Sequence, residues 1–304
     1  MPSASTPTTR PSTGSSPTPT PNSAATRNPS TPCRGWSTCV PAPHHSPAPP
    51  TPGNCAATSA PPPRTCAAPL NDANTPADRA FTLYHLAQLA FDNGDPKTAL
   101  AQINVGLRAA PGSAELLEGR AKAEAALGNT DAALADYASA VAKVPQPSYV
   151  LELGELLQSL GRNKDAEQQY QVFRGEETLF TDNGVAPDSD QTLFEADHGD
   201  PAKALTLGES GLRTRPFIEM HDAYAWALHL NGRDTEALDQ SRQATALGTR
   251  NALFHYHQGM IEKALGHPEQ ARTELRQALT INDHFNPLQA PTAQAALQEL
   301  GTNR

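Results

Sequence analysis

Residues 91–111, FDNGDPKTALAQINVGLRAAP, return 105 positions later as residues 196–216, ADHGDPAKALTLGESGLRTRP, with ten of 21 positions identical. Unrelated segments would share one or two. Self-similarity at a fixed spacing restricts a chain to architectures that stack one unit many times. The shared kernel is a Gly followed five residues later by an Ala. It occurs at Gly94/Ala99, Gly128/Ala133, Gly161/Ala166, Gly199/Ala204, Gly232/Ala237 and Gly266/Ala271. Successive kernels stand 34, 33, 38, 33 and 34 residues apart.

Each kernel reads as helix, tight turn, helix. The Gly lacks a Cβ and so permits the left-handed residue that ends a helix. Asp95-Pro96 and Asp200-Pro201 follow at once, an acceptor for orphan N–H groups and a residue suited to the first turn. In the second helix the Ala is followed at +4 by Ile103, Tyr137, Tyr170 or Leu275, and at +7 by Gly106, Ala140, Gly211, Ala244 or Ala278. Positions i, i+4 and i+7 share a face, so one stripe alternates tiny and bulky side chains and lets a partner helix approach closely. Pro111, Pro145 and Pro216 close their units.

A helical hairpin of about this length with these small, large and Pro positions resembles the tetratricopeptide repeat, over residues 80–285. Departures are specific. Leu83, Leu117, Val150 and His255 stand where the family's first-helix Trp is expected, and Gly208 and Ser241 replace the second-helix aromatic. The run DAYAWALHLNGR, YHQGMIEKALG, INDHFNPLQAP is also similar to bacterial repeat proteins of unassigned function. The resemblance implies an all-α, right-handed solenoid of about six hairpins. The expected units are 80–113, 114–146, 147–184, 185–217, 218–251 and 252–285, with a capping helix over 288–300, the whole domain spanning 75–304. Thr75 and Asp78 form a capping pattern before the first helix. The 38-residue interval places an insertion at 174–186, where Leu179 and Phe180 extend a helix that Asn183-Gly184 stop. The next first helix carries only Leu193, Phe194 and Ala196 as pattern, which makes it the softest joint.

Residues 1–74 differ in kind. The first 70 contain no Asp, Glu, Lys, Gln, Ile, Phe or Tyr, and such a stretch cannot bury enough apolar surface to offset its ordering entropy. A disordered tail is expected. It fits an interaction stalk, a transit-like leader without an amphipathic helix, or a GC-rich coding stretch read from the wrong start or frame. All four cysteines, Cys33, Cys39, Cys55 and Cys66, lie in it with no Cys-x-x-Cys spacing. Four of the 23 basic residues are there too, leaving 19 against 32 acidic ones, a net of −13, for the remainder. That balance disfavours nucleic acid and anionic membranes and favours basic partners. No apolar run reaches transmembrane length. The chain as written reads as cytoplasmic, whereas a mis-assigned start would hide a leader and further repeats, so compartment and oligomeric state stay open.

Little in the residues carries chemistry. Gly208-Glu209-Ser210-Gly211 mimics a nucleophile elbow but falls inside a second helix, where its glycines match packing positions. Six of the ten histidines fall in 221–284. They read as seam histidines, and His255 and His257, two apart, face different ways on a helix. No cofactor and no metal is expected. The resemblance instead implies a groove lined by first helices. Its candidate residues are Tyr84, Gln88 and Phe91, then Glu118 and Lys122, then Leu151, Glu155 and Gln158. The fifth unit adds Asp222, Trp226 and His229, and the sixth Tyr256, Met260 and Lys263. Tyr84 and Gln88 occupy places where relatives that clamp a C-terminal carboxylate have Lys and Asn, so docking of chaperone tails is not expected. The leading expectation is a non-enzymatic scaffold holding a protein or peptide segment. The alternative is a metal-dependent or accessory component of an enzyme complex that uses the His-rich last two units.

Overall fold

The computed structural model describes residues 75–302; the tail and its cysteines lie outside them. Thirteen helices and no strand occur among the described residues. They form six antiparallel hairpins and a terminal helix. The hairpins are α1 (Pro76–Asp92) with α2 (Pro96–Ala109), α3 (Ala114–Ala126) with α4 (Thr130–Lys143), and α5 (Pro147–Ser159) with α6 (Asn163–Asp182). Then come α7 (Ser189–His198) with α8 (Pro201–Thr214), α9 (Ile218–Leu230) with α10 (Asp234–Thr245), and α11 (Ala252–Ala264) with α12 (Pro268–Ile281); α13 (Gln289–Thr302) ends the series.

Local chemistry explains the boundaries. Thr75 Oγ1 accepts from the Asp78 N–H at 3.1 Å while the Asp78 carboxylate accepts from the Thr75 N–H, so two orphan donors are satisfied reciprocally. Asp95 and Asp200 cap α2 and α8, each just ahead of a Pro. Five kernel glycines adopt positive φ, between +72° and +83°. Gly199 departs from the expected left-handed turn, with φ −132°. Its requirement is space, because a Cβ there would run into the Glu195 carboxylate, which accepts from the Asp200 N–H at 3.1 Å and from Lys203 Nζ at 2.6 Å.

The Ala of each kernel is buried. Ala99, Ala133, Ala166, Ala204, Ala237 and Ala271 are 2%, 0%, 1%, 0%, 0% and 0% exposed. Each lets the first helix of its hairpin come close, and the bulky side chain one turn on, such as Ile103 or Leu275, fills the remaining space. The same logic holds Gly208 and Gly211 inside α8: a Cβ would stand 2.8 Å from the Tyr224 ring at the first and 2.5 Å from Met220 at the second. The extra residues of the long interval lengthen α6 to 20 residues, ending at Asn183 and the positive-φ Gly184. Short α7 is anchored by Phe194, whose ring stacks on Phe173 at 4.3 Å. At the end of the array, Ala290, Ala293 and Ala296 of α13 cover the face that α11 and α12 would otherwise expose.

Candidate functional site: the inner face of the first helices

Two polar arrays run along the first helices. The first spans α1, α3, α4 and α5. Tyr84 donates to Glu118 Oε2 at 3.0 Å, and Lys122 Nζ bridges Glu118 at 2.8 Å and Glu152 at 2.7 Å. Tyr137 donates to the other Glu152 oxygen at 3.3 Å. Burial alone would lower the Lys122 pKa, but the Glu118 and Glu152 charges outweigh it and hold the ammonium well above the ordinary lysine value. The array thus gathers two carboxylates and two tyrosine hydroxyls around one cation.

The second array surrounds a cavity of about 170 Å³. Ser148, Leu151, Glu152 and Glu155 come from α5, and Asp190, Leu193, Phe194, Asp197 and His198 from α7. Leu253 and His257 come from α11. Asn286 and Gln289 complete it from the stretch that leaves α12 and enters α13. His198 Nε2 lies 3.2 Å from Glu155 Oε1, and the Asn286 amide donates to Glu155 Oε2 at 2.9 Å. Trp226 donates to Asp197 Oδ1 at 2.8 Å, and the Gln289 amide to Asp197 Oδ2 at 2.9 Å. Burial raises the pKa of both carboxylates, and these hydrogen bonds only partly offset it. The His257 ring stacks on Trp226 at 4.3 Å, and its Nδ1 is 2.8 Å from Asp222 Oδ2.

The turn between α12 and α13 crosses from the last hairpin to the first and third. Asn282 is buried and donates from its side-chain amide to the Phe91 carbonyl at 2.9 Å. Phe285 meets the Tyr256 ring at 5.6 Å, and Asn286 reaches Glu155 across 131 residues of sequence. A non-helical stretch of the chain itself thus lies against the first helices.

Tetratricopeptide repeat family models match residues 84–146, 118–176 and 252–285. The chain carries tetratricopeptide repeats. Similar solved structures include a tetratricopeptide repeat protein from Parabacteroides merdae, with 17% identity and a TM-score of 0.47, covering 79% of this chain and 91% of that one. Pseudomonas aeruginosa pilF has 17% identity and a TM-score of 0.40, covering 75% and 99%. The TPR2AB domain of yeast Sti1, solved as a pHSP90 complex, has 14% identity and a TM-score of 0.32, covering 74% and 99%. No curated protein matches the sequence.

In this repeat protein the fourteen groove candidates divide by exposure. Phe91, Glu118, Glu155, Asp222, Trp226 and Tyr256 are buried. Tyr84, Gln88, Lys122, Gln158, His229, Met260 and Lys263 are partly exposed, as is Leu151. Several are engaged by neighbouring helices: Gln158 accepts from Tyr170 at 2.7 Å, His229 pairs with Asp234 at 2.5 Å, and Lys263 with Glu299 at 2.5 Å. The structure gathers Leu151 and Glu155 at the cavity and adds Asp190, Asp197, His198 and His257, none of them among the groove candidates. One signal did exist. Asp197 is the counterpart of Asp92 in the 105-residue alignment, a match outside the packing stripe. His255 and His257 do point apart, to Glu274 and to Asp222. Among the described residues no group of three or more His, Cys, Asp or Glu side chains is placed to hold a metal ion, and no helix is long and apolar enough to cross a membrane.

Proposed function

We propose that the protein is a non-enzymatic scaffold that holds a protein or peptide segment along the inner face of its first helices. The observation that carries this reading is the chain's own non-helical stretch 282–288 lying there, fastened by side-chain amides to the Phe91 carbonyl and the Glu155 carboxylate. A surface that accommodates one irregular segment through main-chain and carboxylate acceptors has the chemistry to accommodate another. Partly exposed Leu151, which lines the cavity with Glu155, and Met260 on α11 add adaptable apolar area. The acidic balance of the repeat region favours a basic partner.

Peptide-library selection on the full chain tests this, followed by binding to Leu151→Arg in the groove and to Val172→Arg on α6, where Val172 is 44% exposed. Selected peptides are expected to lose the first variant and keep the second, with both variants folded by circular dichroism. Equal binding to both would remove the groove from the reading.

A further inference from the structure

Carboxylates are the largest group in the polar lining of the 170 Å³ cavity, beside Ser148, two histidines and two side-chain amides, and His198 is held against Glu155. Carboxylates of Glu152, Glu155, Asp190 and Asp197 face it, and each can only accept hydrogen bonds when ionised. The amide donors present, on Asn286 and Gln289, are already engaged by Glu155 and Asp197. Lys122, the neighbouring ammonium, is held by Glu118 and Glu152. Arg174, over the Phe194 ring, donates to Glu167 and to the His198 carbonyl.

A second observation is independent of the acidic cluster. His257 lines the cavity, is 0% exposed, and its Nε2 has no hydrogen-bond partner. Its Nδ1 faces the Asp222 carboxylate, so in the neutral ring the proton sits on Nδ1 and Nε2 presents a lone pair. A buried nitrogen left without a partner costs stability unless something supplies one. What is missing is a donor. Carboxylates together with a lone pair repel anions and complement a group that brings several N–H bonds and positive charge. Leu151, Leu193, Phe194 and Leu253 offer the apolar wall that an alkyl stem needs. The volume is several times the ~30 Å³ that one water occupies in the liquid.

We propose that this cavity is a recognition site for an alkylammonium or guanidinium group, borne by a lysine or arginine of a docked segment or by a free polyamine. In the first case it rests on the groove reading and names the side chain the groove selects; in the second it stands alone. Asn286 and Gln289 act as the neutral stand-ins that the unliganded chain provides for two of the carboxylates.

Trp226, stacked on His257 and donating to Asp197, is a reporter beside the site, and Trp36→Phe leaves it the sole tryptophan. That protein is titrated with spermidine, with a pentapeptide bearing a central arginine, and with the citrulline counterpart of that peptide. The expected result is a saturable change in emission with spermidine, with the arginine peptide, or with both, and none with citrulline. Affinity should fall at least tenfold in Glu155→Gln and in Asp197→Asn, and stay unchanged in Asp239→Asn, whose side chain is 73% exposed. Response to spermidine alone identifies a free polyamine, and tighter binding of the arginine peptide identifies a segment. Absence of any saturable change, equal binding of citrulline, or indifference to both cavity variants overturns the proposal. If library peptides without basic residues bind the groove while all three probes fail, the cation site falls and the groove reading stands.

Discussion

The side-chain amide of Asn282 donates to the main-chain carbonyl of Phe91 at 2.9 Å, joining the last hairpin to the first across 191 residues. Repeat arrays hold together through neighbours, and this bond does not. Asn282 also accepts from the His284 N–H at 2.9 Å, which shapes the turn that follows. Asn282→Ala removes both bonds and is expected to cost about 1–3 kcal/mol, read from the urea midpoint. A midpoint equal to wild type would mean the crossing turn contributes nothing to stability.

Gly94 and Gly161 have nearly the same backbone, φ +77° and +73°, but different surroundings. A Cβ at Gly161 meets nothing within 4 Å, whereas at Gly94 it would stand 2.7 Å from the Ile281 carbonyl oxygen. Gly161→Ala should therefore show only the left-handed penalty of about 1–2 kcal/mol. Gly94→Ala should lose more, because the crossing turn must also move. Thermal melts of the two variants, side by side, decide the point.

Ala133 and Tyr137 sit one turn apart on α4, 0% and 4% exposed. Ala133→Leu inserts bulk into a closed seam and should cost about 1–3 kcal/mol. Tyr137→Ala leaves a cavity and should cost about 3–5 kcal/mol, by analogy with other large aromatics. Denaturant titration of both, with a single transition in each, measures the seam from either side.

Asp190 stands at the cavity, reached by solvent yet ringed by protein. Loss of hydration there, the nearby Asp188 and Glu155 charges, and only partial relief from Lys122 and Ser189 raise its pKa to about 6. The folded state thus takes up a proton more readily than the unfolded chain between pH 4 and 6, so the ionised carboxylate costs stability above that window and the cost fades as pH falls through it. Asp190→Asn is expected to melt higher than wild type at pH 7.5, with the gap closing by pH 4. A gap that stays constant across that range would show that Asp190 titrates normally.

The hairpin plan was legible in the chain because it is a local matter. A Gly that ends a helix, an Asp-Pro that starts the next, and an Ala at the point of closest approach act within a few residues, and Ala99 through Ala271 are all buried as that pattern implies. The longer α6 was legible for the same reason, since an interval of 38 against 33 or 34 has to go somewhere. Only the stacking of hairpins decided the rest. Curvature brings α5, α7 and α11 around one cavity and carries Asn282 back to Phe91, and no spacing in the sequence encodes a contact made by cumulative rotation. His257 looked like one more seam histidine from its neighbours in the chain. It became a buried nitrogen without a partner because α9 and α11 pack its ring between Trp226 and Asp222. Local steric rules set the elements; the distances between charges were set by how those elements lean on one another.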